Sequence, residues 1–148
     1  YSLMHIFHHV LYEGIGLRQF LDYYFILRRL DGAQRRQVIE DLKYLGLARF
    51  AEAVMYVEQQ VFGLEPEYCL CQPNEKTGKR LLEEIELAGN FGQFDQRNQQ
   101  VNRKSKLDVY LHNVKRNFVF FGFAPSEVLW APIWKPCHFV WRKIKGYS

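Results

Sequence analysis

The 148-residue chain has no long apolar run. A bilayer-spanning helix needs about 20 consecutive apolar residues, and the densest stretch, Phe118 to Ala124, falls well short. Cysteine is scarce and odd in number: Cys69, Cys71 and Cys137. That count argues against a secreted disulfide framework. The Cys-Leu-Cys pair has one intervening residue, where many zinc sites have two, so Cys137-His138 is not expected to complete a metal site. Reduced, structural cysteines are expected instead.

Several catalytic signatures are also missing: there is no Walker A loop, no G-x-S-x-G elbow and no Cys/His nucleophile arrangement. Gly14-Ile15-Gly16 lacks the third glycine and the preceding strand of a dinucleotide fold. The opening Tyr1-Ser2-Leu3-Met4 has no basic signal-peptide head. A cytoplasmic protein without a complete catalytic set of its own is expected. The chain opens directly on an apolar helical pattern, which reads as an excised piece of something longer.

What is there favours one core. Hydrophobic residues make up 48% and aromatics 16%, enough for a single domain over residues 1–148 without staples. The net charge is +4 and the pI about 9.0, with basic and acidic residues mixed along most of the chain. Such a surface permits contact with phosphates, nucleic acid or an acidic partner and demands none of them.

Helical spacing dominates the pattern, and two-residue alternation is nearly absent. Leu3, Ile6, Phe7, Val10 and Leu11 form one stripe. Gly14 and Gly16 break it. Leu17, Phe20, Leu21, Tyr24 and Leu27 mark a second helix that is apolar nearly all round, a composition normally central to a core. Asp31 is placed to cap a third helix with Val38, Ile39, Leu42 and Leu45, stopped by Gly46. Phe50, Val54, Val57 and Val61 give a fourth, ending at Gly63, and the short link between the two predicts a packed hairpin.

Pro66 to Pro73 reads as irregular. Thr77 is expected to cap a fifth helix carrying Leu81, Leu82, Ile85 and Ala88. Gln93 to Lys106 is polar and loop-like, a sixth helix follows through Leu107, Tyr110, Leu111, Val114, Phe118 and Phe121, and Pro125-Ser126-Glu127 suits another helix start. His138 to Ile144 can form a last short helix. The expected fold is all-α, a compact array or bundle of about six to seven helices.

Three groups of residues can carry chemistry. His5, His8, His9 and Tyr12 cluster on the first helix, but Ile6 stands where an H-E-x-x-H metalloprotease has its Glu. A polar stripe bonded to neighbouring helices or to a missing domain, and no metal, is expected there. In Glu13 to Asp22, the glycines bring the backbone into a tight turn, and Arg18 falls in the first turn of the next helix. Exposed amides and a guanidinium there suit a phosphate or carboxylate. An internal ion pair of Arg18 with Asp22 or Glu13 accounts for the same residues without a ligand. The tail interleaves Trp130, Trp134 and Trp141 with Lys135, Arg142, Lys143 and Lys145. That pattern suits single-stranded nucleic acid or a membrane surface, or simple packing with the basic groups in water. Arg97, Arg103, Lys104 and Lys106 form a second basic cluster.

His5-Ile6-Phe7-His8-His9, followed by Glu13-Gly14-Ile15-Gly16-Leu17-Arg18-Gln19 and Asp22-Tyr23, resembles the uncharacterised nucleotidyltransferase family found in many bacteria. Leu45-Gly46-Leu47, Phe62-Gly63, Gly89-Asn90-Phe91-Gly92 and the stretch from Pro125-Ser126-Glu127 to Trp141-Arg142-Lys143 look like its C-terminal region, so the resemblance spans most of the chain. It implies a C-terminal helical domain partnered by an N-terminal catalytic domain that this chain does not contain. In the superfamily a Gly-Ser motif is followed by paired acids, which bind Mg²⁺ and align the phosphates of an NTP. This chain has no Gly-Ser pair and no acid-x-acid motif on an apolar strand; Glu65-Pro66-Glu67 sits in a proline-broken loop. The resemblance thus implies a helical partner, inactive alone, that helps bind a nucleotide or acceptor. Arg18 would contact a phosphate, Glu13 would orient it with Asp22 nearby, and His9 would face the same cleft. The alternative is a non-enzymatic helical module that binds protein or nucleic acid through its tail.

Overall fold

The stripe Leu3, Ile6, Phe7, Val10 and Leu11 is buried in full, and it draws residues Ser2–Tyr12 into the first helix, α1. The structure, a computed structural model, describes residues 1–12, 15–88, 120–122, 125, 137 and 141. Among them there are four further α-helices and no strand: α2 (Leu17–Arg29), α3 (Gly32–Tyr44), α4 (Ala48–Phe62) and α5 (Glu75–Ala88). Two single 3₁₀ turns, Pro66–Tyr68 and Phe120–Gly122, are also described, and Pro125, Cys137 and Trp141 are helical. The class is all-α, with five α-helices among the described residues against the six to seven expected. The sixth and last expected helices fall almost wholly outside the described residues, as do Gly89 to Gly92 and the polar stretch Gln93 to Lys106.

Helix ends follow from local chemistry. The Asp31 carboxylate accepts from the amides of Ala33 (2.9 Å) and Gln34 (2.8 Å), and Gln34 Oε1 accepts from the Asp31 amide at 3.1 Å. This reciprocal capping box satisfies amides that a helix start leaves without partners. Gly46 turns the α3–α4 link at φ +70°. There the Gly46 amide donates to the Lys43 carbonyl and Leu47 to that of Leu42, a left-handed stop that favours glycine. Gly63 closes α4 in the same region of φ. At α5 the expectation needs correcting. The cap is Asn74, whose Oδ1 accepts from the Thr77 amide at 3.1 Å, so Thr77 lies inside the helix. A carboxamide reaches back over the first turn as well as a hydroxyl does.

The centre of the core is α4. Phe50, Ala51, Ala53, Val54, Met55, Val57 and Glu58 are all buried, whereas α2 buries Phe20, Tyr23 and Leu27. The helix that looks greasy all round is therefore not the middle one. Leu17, Leu21, Phe25 and Ile26 of α2 are exposed. Helix α4 takes the central place because Ala51 and Ala53 let neighbours approach its other sides. Helix α5 packs along it most extensively, with α2 and α3 against its remaining surface. Gly78 makes the α5 approach possible: a Cβ there would lie 2.4 Å from the Tyr56 Cβ, well inside contact distance.

Two arginines lock the side of this assembly. Arg35 of α3 donates to the Leu27 carbonyl (3.1 Å), the Leu30 carbonyl (3.4 Å) and the Tyr68 carbonyl. It thereby serves carbonyls at the end of α2 that have no intrahelical partner. Arg28 Nη1 donates to Tyr24 Oη (2.8 Å) and to both Glu65 carboxylate oxygens (2.7 and 2.8 Å). The two guanidinium carbons lie 4.9 Å (Arg28) and 5.9 Å (Arg35) from the Tyr68 ring centre, within cation–π range.

Candidate functional site

The α1–α2 junction holds the residues singled out for anion binding. Gly16 caps α2 in extended conformation and offers no side-chain bond, so the cap residue leaves the first amides of the helix uncovered. Arg18 stands two residues later and is exposed, as is Asp22 one turn on. Among the described residues neither enters an ion pair; the pairs present are Arg28–Glu65 and the i,i+4 pair Lys79–Glu75 at 2.6 Å. Glu13 lies outside the described residues, as does Gly14. Ile15, next to them, is buried and pins the junction to the core. The chemistry available is a cationic side chain beside uncapped helix-start amides, which suits a phosphate or carboxylate oxygen.

On α1, His5 and His9 come together: their Nε2 atoms are 3.1 Å apart and their rings meet edge to face at 86°. His8 approaches His9 with ring centres 6.1 Å apart. His5, His8 and His9 lie mainly on the side of α1 opposite the buried Leu3–Leu11 face, and these contacts run within the helix. Among the described residues no three or more His, Cys, Asp or Glu side chains gather as a metal centre. Mg²⁺ prefers several oxygen ligands in near-octahedral array, and Asp22 and Glu58 stand in different settings, one wet and one buried. The described residues thus do not form a Mg²⁺ centre.

Glu58 is a residue of interest that the sequence reading misses. It is 0% exposed on the core face of α4, and among the described residues neither carboxylate oxygen has a hydrogen-bond partner. Burial without a donor disfavours the charged form and pushes this acid up to about 8. Tyr23 of α2 is raised too, by its own burial first and by the nearby Glu58 second. Cys69 is raised by burial, against the opposing Gln59 hydrogen bond and Arg35. Burial, then Glu52 and Cys69, push the Cys71 thiol up to about 11. These cysteines are protonated near neutrality and are not activated nucleophiles, in keeping with a structural role. A sequence signal for Glu58 exists: it stands four residues after Val54 and one after Val57, inside the apolar stripe.

The basic aromatic tail cannot be placed as a unit. Trp130, Trp134, Lys135, Arg142, Lys143 and Lys145 lie outside the described residues, as do Arg97, Arg103, Lys104 and Lys106. Cys137 and Trp141 are exposed. No helix among the described residues is long and apolar enough to cross a membrane.

Taken together, the described residues define an all-helical protein built on a buried central helix, with an exposed arginine at a glycine-led helix start. Residues 1–63 match a family whose description is uncharacterised nucleotidyltransferase, the family that the Glu13–Asp22 motif resembles. The match ends at Gly63, the close of α4. It does not cover most of the chain, and the later motifs from Gly89 onward contribute nothing to it. It also lies at the N-terminal end of this chain, in place of the C-terminal region that the motifs suggested. No curated protein and no solved structure matches the chain.

Proposed function

We propose that this chain is a helical unit of a nucleotidyltransferase-related protein, in which it assists the binding of a nucleotide or acceptor. The family match over residues 1–63 carries this reading. Helices α1 to α4 fall within that segment, and so do all four proposed contact residues. Arg18 meets a phosphate oxygen together with the open amides at the start of α2. Glu13 orients the guanidinium, Asp22 balances it from the next turn, and His9 faces the same cleft from α1. In this reading the acids that hold Mg²⁺ for transfer of the nucleotidyl group belong to a separate catalytic unit.

Equilibrium binding of Mg-ATP to the full-length protein tests this, with Arg18→Ala as the variant. Arg18 is exposed, so the substitution leaves the fold intact. Loss of a charge-assisted hydrogen bond is worth about 1.5–3 kcal/mol, and the expected result is binding weaker by roughly 10- to 150-fold. Wild-type affinity in the variant removes Arg18 from the site. Absence of any nucleotide binding by the wild type rejects the nucleotide reading itself.

A further inference from the structure

We infer that His5 and His9 form a two-imidazole chelate for a borderline divalent transition metal such as Cu²⁺ or Zn²⁺, on the side of α1 away from its buried stripe, with His5 exposed and His9 half-buried. The residues sit one helical turn apart, so their side chains rise from the same strip of the helix. Their Nε2 atoms, the ring tips, are 3.1 Å apart. Metal–imidazole bonds of about 2.0–2.1 Å spanning that gap subtend roughly 95–102° at the metal, between the square-planar and tetrahedral angles. The bite fits one ion without moving the backbone.

The backbone is also held. Leu3, Ile6, Phe7, Val10 and Leu11 anchor the opposite face of α1, and the Phe7 ring meets Phe50 of the central helix at 4.9 Å. The 3.1 Å contact further requires that one of the two Nε2 atoms act as acceptor, since two N–H groups would repel. One lone pair therefore already points at the other ring. On binding, the ion displaces the shared hydrogen and sits to one side of the line between the two nitrogens. With the exposed His5 as the donor, its proton passes from Nε2 to Nδ1 by exchange with solvent, with no net release of a proton. Water fills the remaining positions, as only two protein ligands are needed for a helix-surface chelate. Imidazole favours Cu²⁺ over Zn²⁺ and both over Mg²⁺, which seeks oxygen. This site is separate from the Mg²⁺ chemistry of nucleotidyl transfer and does not depend on it.

The test is titration of the full chain with CuCl₂ or ZnCl₂ in a non-chelating buffer, read by calorimetry, with His5 and His9 ring protons followed by NMR for Zn²⁺. One equivalent is expected to bind, tighter for Cu²⁺, with no response to Mg²⁺ at the same concentration. Losing one of two ligands costs more than about tenfold in affinity, so His5→Ala and His9→Ala each fall by at least that factor, while His8→Ala stays at the wild-type value. Helical circular dichroism of the metal-free variants shows that they are folded. The inference fails if no saturable binding of one equivalent occurs, if either variant retains wild-type affinity, or if His8→Ala loses as much as the other two.

Discussion

Helices α2 and α4 invert what their compositions suggest. The first carries large apolar residues on almost every side and leaves Phe25 52% exposed, whereas the second includes small alanines and a glutamate and is buried across seven positions. Centrality in this molecule depends on how closely neighbours can come, and large side chains alone do not secure it. Where a helix is thin, as at Ala51 and Ala53, others surround it. Where it is thick, as at Leu21 and Phe25, it packs by one face.

The contrast is broken or sharpened by substitution. Phe50→Ala empties a fully buried ring position on α4, at an expected cost of about 3–5 kcal/mol, measured by chemical denaturation. A cost below that of an ordinary surface change would show that α4 is not central. Glu58→Gln tests the same helix through pH. The folded-state value of this acid is raised to about 8, so its favourable contribution is complete below the ordinary carboxylate range and is lost as pH rises through 8. The wild type should lose stability between about pH 4.5 and 8, and the glutamine variant should lack that slope and gain on the wild type toward pH 8.5. Parallel stability curves for the two would refute the buried acid.

Gly78→Ala drives a methyl into Tyr56. Overpacking of this kind costs about 1–3 kcal/mol, which outweighs the usual helix preference for alanine over glycine, so the thermal midpoint should fall. A rise would show that α5 stands off from α4. The smallest effect belongs to α2: Phe25→Ala should lie within about ±0.5 kcal/mol, as surface substitutions do. A large loss there would mean that this face is covered.

Much of the local structure is legible in the residues themselves. Asp31, Gly46 and Gly63 mark their helix ends because caps and stops depend on residues only a few positions apart. The α3–α4 hairpin is readable for the same reason. The hierarchy among helices is not, since Ala51 and Ala53 add little to an apolar stripe, and Val61, which falls on that stripe, is exposed. Thr77 and Asn74 are both good caps, and only the chain path decides between them. Arg28 and Arg35 reach partners 37 and 33 residues away, a distance over which periodicity says nothing. At the candidate site, the place of Arg18 in the first turn of its helix is visible from Gly14 and Gly16. Its exposure is not, because a stripe with few polar members reads as interior.

The close seating of α5 on α4 bears on where this molecule can be divided. The family match stops at Gly63, yet the central helix that ends there is roofed by Gly78, Leu81 and Ile85, which come later. Arg35 likewise depends on the Tyr68 carbonyl beyond that border. A protein trimmed to the matched stretch would leave the α5 side of α4 wet, so the edge of the family match and the edge of independent foldability differ here.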